Sequence, residues 1–236
     1  DPLTEGQDLH CTNIRNEAAY YTCISQIIQQ SYPPLPTQSS PFIYFMGDSH
    51  CIPPAWQSIK YKNKTRVIHP ILSTGTKIWH LREEGKFYPK HDFYSSISQI
   101  PSASEVIFCF GEIDCREALL LCVEKGKYDT LESAMDKLID IYVELLMGLR
   151  EKYHWKIYVH PVMPVLDITR DIVMQFNEHL SKRLLNIPKL QWCHFVEELL
   201  VEIEGEKKLN SKYGKYMYVN ICCKKYLESD IHICVC

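Results

Sequence analysis

The 236-residue sequence lacks the long apolar run that a membrane-spanning helix needs. Its longest apolar stretch, residues 118–123, has about six residues, whereas a span needs roughly 20. An excess of charge is also missing: the formal net charge is −3, so nothing indicates a nucleic-acid partner or a membrane. What remains is an ordinary globular composition in a chain long enough for one well-buried core.

Glycine-rich phosphate loops and paired zinc-binding cysteines are missing as well. The glycines that follow apparent strands stand alone, which argues against a flavodoxin-like nucleotide binder. Near the C-terminus, Cys222-Cys223 and Cys234-x-Cys236 lack the C-x2-C spacing of zinc sites. We therefore expect no cofactor and no metal.

Cysteine itself is abundant, with 11 residues. Some, such as Cys109 and Cys193, fall in apparent core segments, where free thiols behave as small hydrophobic side chains. This favours a reducing, cytoplasmic compartment, although one sequon at 63–65 favours secretion instead. Because the chain starts at Asp1 rather than Met, we expect a fragment or a processed form.

Five short segments rich in β-branched and aromatic residues are predicted as strands; they span 42–46, 65–72, 105–110, 156–162 and 190–196. Helical patterns lie between them. Buried strands that alternate with helices indicate an α/β fold, a three-layer α/β/α arrangement around a mostly parallel five-stranded sheet. We assign it to residues 41–236, after a helix near 13–30 and a Pro/Ser-rich linker within 1–40.

Two of the helices have a clear apolar stripe. The first begins with a predicted capping box of Asp129 and Glu132 and ends near Tyr153. The second carries apolar residues from Ile168 to Leu184 and is limited by the proline that follows.

Polar residues and glycines follow most of the strands. Ligands bind beyond the carboxyl ends of parallel strands, so we expect these segments to converge on one edge of the sheet; they are 47–50, 73–76, 111–116, 160–161 and 197–198. Within the first, Ser49 has two interpretations. It projects its hydroxyl into a crevice for nucleophilic attack, or Asp48 or Ser49 simply caps the next helical turn.

The segment after the third strand carries Glu112, Asp114 and Arg116. Arg116 could supply a cation to an anionic transition state or substrate. Alternatively, Glu112 and Asp114 pair with Arg116 in a structural salt bridge. The sequence leaves both interpretations open.

From about Phe42 to His232, the order of these segments resembles the SGNH (GDSL-like) hydrolases, a family of esterases and lipases with a flavodoxin-like fold. Gly47-Asp48-Ser49 matches the first block of that family, and Gly75 fits the second. The resemblance implies that Ser49 is the nucleophile and that the N–H groups of Ser49 and Gly75 form an oxyanion hole. It further implies that His232 is the base, which we expect the nearby carboxylate of Asp230 to assist.

Two blocks depart from the family pattern. The third, usually Gly-x-Asn-Asp, has Ile113 where an asparagine would supply an oxyanion donor. The fifth, usually Asp-x-x-His, has Ser229 three residues before His232, whereas Asp230 lies two before it. His50 and His160 are weaker candidates for the base.

Two functions therefore compete. One is a serine esterase acting on a small acyl ester, such as an acetylated sugar. The other is a binding module that keeps the fold of a hydrolase but not its activity, as part of a larger protein. The distance between His232 and Ser49 would distinguish them. A redox role for Cys51 is less well supported, because no basic partner is evident beside it. The oligomeric state is not predicted.

Overall fold

A computed structural model describes most of the chain beyond residue 40, over 41–52, 54–61, 64–164, 167–195, 200–203 and 206–209. Several sequence predictions fall outside these residues. They are the division at residue 40, the helix near 13–30, Asn63 of the sequon, the segment 197–198 and the block with Asp230 and His232. Among the described residues, no helix has the length and apolar character required to cross a membrane.

The strands in the described part of the chain are β1 (Phe42–Gly47), β2 (Ser58–Tyr61), β3 (Lys64–Leu72), β4 (Glu105–Cys109), β5 (Lys156–Val159), β6 (Leu190–Trp192), β7 (Leu200–Ile203) and β8 (Glu206–Leu209). The first six form one sheet with the order β2-β3-β1-β4-β5-β6. Neighbouring strands run parallel except for β2, which pairs antiparallel with β3. A separate antiparallel pair, β7 and β8, follows.

The chain order of the parallel strands creates a switch point at β1. The chain moves from β1 to β3 on one side and then returns past β1 to β4 on the other. In doubly wound sheets of this order, ligands bind at such a point, beyond the carboxyl ends of the strands. The predicted α/β class, the flavodoxin-like order and all five predicted strands are confirmed. The predicted sheet has one strand too few, because the sequence gives no sign of the edge strand β2, and the separate pair of β7 and β8 is not predicted at all.

Four α-helices lie in the described part of the chain; they are α1 (Tyr88–Ile97), α2 (Leu119–Glu124), α3 (Leu131–Tyr153) and α4 (Arg170–Leu185). The predicted capping box at α3 is wrong by one residue. Thr130 is the N-cap: its hydroxyl accepts the Ser133 N–H at 3.1 Å, and the Ser133 hydroxyl accepts the Thr130 N–H at 3.3 Å. Ile168 precedes α4 and is 89% exposed, so it does not belong to the apolar stripe of that helix.

Alternate residues of each inner strand pack into two apolar clusters, as expected when both faces of a sheet are covered. Met46 and Phe108 point to the face covered by α1, α3 and α4 and pack with Phe93, Tyr142 and Phe176. Their strand neighbours enter the second cluster, which includes Phe45, Ile107 and Tyr158. The inner strands are therefore buried on both faces, and the loops that follow them start from packed strand ends.

Candidate active site

Ser49 lies on a tight turn immediately after β1. The turn is a 3₁₀ helix, Ser49–Cys51, whose N-cap is Asp48. Asp48 is 1% exposed, and its Oδ1 accepts the His50 backbone N–H at 2.9 Å. The Ser49 side chain, by contrast, is exposed. The two interpretations of this segment are therefore compatible: Asp48 caps the turn, and the turn presents Ser49 to solvent.

His50 is held by the same carboxylate. Its Nδ1 lies 2.7 Å from Asp48 Oδ1. Burial alone lowers the pKa of His50, but the hydrogen bond to Asp48 and its charge outweigh that effect, so the pKa is raised. With Nδ1 donating to Asp48, only Nε2 of His50 is left to take a proton.

The second loop places Gly75 at the same edge of the sheet. Its backbone has φ +66°, a left-handed conformation that glycine adopts without strain. The Ser73 N–H donates to the Gly47 carbonyl at 2.9 Å, and the hydroxyl groups of Ser73 and Thr76 are hydrogen-bonded at 2.7 Å. Gly75 is exposed, whereas Ser73 and Thr76 are buried on either side of it.

Asp114, in the third loop, is fully buried. Its Oδ2 accepts the Ile78 N–H at 2.8 Å, and its Oδ1 accepts the Trp79 N–H at 3.2 Å. Burial raises the pKa of this carboxyl to about 7, although the two N–H donors and Lys77 oppose the effect. Asp114 thus binds the backbone of the neighbouring loop, an arrangement that no sequence pattern indicated.

Arg116 forms a salt bridge with Glu112 rather than with Asp114. Its Nε lies 2.8 Å from Glu112 Oε1, and a second nitrogen lies 3.3 Å from Oε2. A further nitrogen contacts Glu117 at 2.6 Å, and Lys77 reaches Glu117 at 3.1 Å. Of the two sequence interpretations, this geometry supports the salt bridge, with Glu112 and Glu117 as the partners.

His160 follows β5 and is buried. Its Nδ1 lies 2.7 Å from the Pro161 carbonyl oxygen, so this nitrogen carries the proton. Burial lowers the pKa of His160 to about 4. A neutral, buried imidazole of this kind is a poor candidate for a base that must reach Ser49.

Cys51 is buried, and its thiol contacts the Ile71 carbonyl at 3.7 Å. Burial raises the pKa of this thiol to about 12. Because the reactive species is the thiolate, Cys51 is a poor redox group. Among the described residues, no cluster of three or more His, Cys, Asp or Glu side chains could hold a metal ion.

No family model matches the chain, and neither does any curated protein. Among solved structures, the chain is similar to a Streptococcus pneumonia protein provisionally described as a platelet activating factor, with 14% identity, a TM-score of 0.47 and coverage of 91% of this chain and 94% of that one. It is also similar to an acetylxylan esterase from Geobacillus stearothermophilus (14% identity, TM-score 0.44, covering 81% and 96%) and to a lipase from a goat rumen metagenome (14%, 0.44, 79% and 98%).

Proposed function

We propose that the chain is a serine hydrolase that cleaves small acyl esters, with Ser49 as the nucleophile. The observation that carries this proposal is the position of Ser49. Ser49 is an exposed residue on a capped turn at the carboxyl end of β1, at the switch point of the sheet. Because Asp48 caps this turn, capping does not account for Ser49.

In the proposed reaction, Ser49 Oγ attacks the ester carbonyl, and the N–H groups of Ser49 and Gly75 stabilise the oxyanion that forms. A histidine takes the Ser49 proton and passes it to the leaving alcohol, after which water hydrolyses the acyl-enzyme. We assign this base to His232, with Asp230 as its partner, on the resemblance to SGNH hydrolases. An acetylated sugar is the substrate that we would test first.

The test is labelling by a fluorophosphonate probe, together with hydrolysis of p-nitrophenyl acetate. Wild type should be labelled and active, Ser49→Ala should lose both properties, and His232→Gln should lose most of its rate. Ser95→Ala is the matched control, because Ser95 is exposed on α1. Labelling of Ser49→Ala at the wild-type level would disprove the role of Ser49.

The alternative, a binding module, is favoured by one observation on the third loop. Ile113 has no donor group, and the charge of Arg116 is balanced by Glu112 and Glu117. Loss of one oxyanion donor typically costs a factor of about 10²–10³ in rate. Wild type that binds an acetylated sugar in calorimetry but neither reacts with the probe nor hydrolyses the ester would favour this alternative.

A further inference from the structure

We propose that Asp114 is a positioning residue: it fixes the loop that carries Gly75 and thereby aims the Gly75 N–H. The catalytic meaning of this inference rests on the proposed function. Its structural part, the clamping of one loop by a carboxylate from another, can be tested without any substrate.

The clamp joins segments that are far apart in the sequence. Asp114 lies 36 residues beyond Ile78. Ile78 and Trp79 are the first two residues of the 3₁₀ turn Ile78–Leu81. N–H groups at the start of a helix have no partner within it, and Asp114 accepts both of these at 2.8 and 3.2 Å. The carboxylate therefore determines where this turn begins and how it is oriented.

Gly75 lies between this clamp and a second anchor. On its N-terminal side, Ser73 is hydrogen-bonded to the Gly47 carbonyl of β1 and to the Thr76 hydroxyl. On its C-terminal side, the chain reaches the clamped Ile78 within three residues. The loop is thus fixed to the strand that presents Ser49 and to the loop after β4. With both ends fixed, the exposed Gly75 has little freedom to reorient its N–H.

The charges around Asp114 make the clamp sensitive to pH. Lys77 favours the charged carboxylate, whereas Asp48 and, most of all, burial oppose it, and the pKa of Asp114 is raised to about 7. A carboxylate released into water would return to its ordinary pKa of about 4. At a pH between about 4 and about 7, Asp114 is protonated when the loop is closed and ionised when the loop is open. The free energy needed to open the loop therefore falls as the pH rises through this window, and above it no longer changes with pH.

Hydrogen exchange at the Ile78 and Trp79 amides tests the clamp in the full chain. We would measure protection, corrected for the intrinsic exchange rate, from pH 5 to pH 8 by NMR. In wild type, protection should fall with rising pH by up to about tenfold per unit below pH 7. Asp114→Asn, which has no carboxylate, should show lower protection without this pH dependence. Asp129→Asn is the matched control, because Asp129 is exposed ahead of α3.

Wild-type protection of the Ile78 and Trp79 amides in Asp114→Asn would overturn the proposal, and wild-type protection that does not vary with pH would overturn its pH sensitivity. If that variant fails to fold, the wild-type amides decide: exchange of both at the rate of unprotected amides would show that Asp114 does not hold them. For p-nitrophenyl acetate, Asp114→Asn should lose about tenfold or more in kcat with little change in KM, since the donor acts in the transition state. An unchanged kcat would refute the catalytic part. Probe labelling tests separately whether Ser49 is the nucleophile. If it is not, the hydrogen-exchange result for the clamp is still valid.

Discussion

Replacement of Gly47 by alanine tests how tightly the strand that presents Ser49 is packed. Gly47 ends β1 and is in register with Cys109 of β4. A Cβ at this position would lie 2.7 Å from the Cys109 carbonyl oxygen and 3.1 Å from the Cys51 Cβ. Because the first atom belongs to the backbone of a paired strand, it cannot rotate away. We expect a loss of about 1–3 kcal/mol in the free energy of unfolding, or roughly 2–12 °C in Tm for a chain of this size.

Gly148→Ala is the matched control for this change. Gly148 is exposed within α3, and a Cβ added there meets no atom within 4 Å. The same substitution should stabilise the protein by roughly 0.5–1 kcal/mol, because glycine is a poor helix former. Urea and thermal unfolding followed by circular dichroism measure both variants. If Gly47→Ala is as stable as wild type, the close contact between β1 and β4 does not exist as described.

Three further predictions concern α3, the pH dependence of stability and the third loop. In urea unfolding, Thr130→Ala should cost about 1 kcal/mol, whereas Asp129→Ala should have no effect; the reverse result would restore the capping box that the sequence suggested. The pKa of His160, lowered to about 4, predicts a loss of about 3 kcal/mol as the pH falls from 6.5 to 4, since only the unfolded state takes up the proton. The raised pKa of Asp114, about 7, predicts a gain of about 3 kcal/mol over a similar range, so Asp114→Asn should lose more stability than wild type between pH 7 and pH 4.5. A free energy of unfolding that changes in parallel in the two proteins would contradict the Asp114 assignment, and a variant that loses no stability would contradict the His160 assignment. Ile113→Asn should raise kcat for p-nitrophenyl acetate at least tenfold if the missing donor limits the rate, and an unchanged kcat would show that it does not.

Most of the fold could be predicted from the sequence because the inner strands can be recognised by the apolar character of their own residues. A strand buried on both faces must be apolar where it is buried, and β1, β4 and β5 are apolar apart from Glu105 and Lys156, the first residues of β4 and β5. The edge strand β2 has no continuous apolar run, because Ser58 and Lys60 are exposed. Its pairing with β3 identifies the segment as a strand. The N-cap of α3 was misplaced for a related reason. Asp129 and Thr130 both have a polar residue three positions on, and packing of the helix decides which of them caps it.

The candidate site could be predicted only in part. The rule that ligands bind beyond the strand ends directed attention to the loops at Ser49, Gly75 and Glu112, and these loops do follow the carboxyl ends of β1, β3 and β4. The pairing of Arg116 with Glu112 has a local signal, since residues four apart face each other on a helical turn. The contact of Asp114 with the 78–79 backbone has none, because it depends on how two distant loops meet.

The third loop also shows why a motif is better treated as separate residues than as a unit. At the positions where the SGNH pattern has asparagine and aspartate, this chain has Ile113 and Asp114, so it has the carboxylate but no amide donor. A carboxylate kept only for charge would not need full burial, and burial opposes its ionised form. The two oxygens of Asp114 accept the N–H groups of the adjacent turn. In the proposed reaction, the absence of a donor at residue 113 removes one contact to the oxyanion, whereas loss of Asp114 would displace the loop that provides another. We therefore expect the position of Gly75 to be maintained although residue 113 supplies no donor.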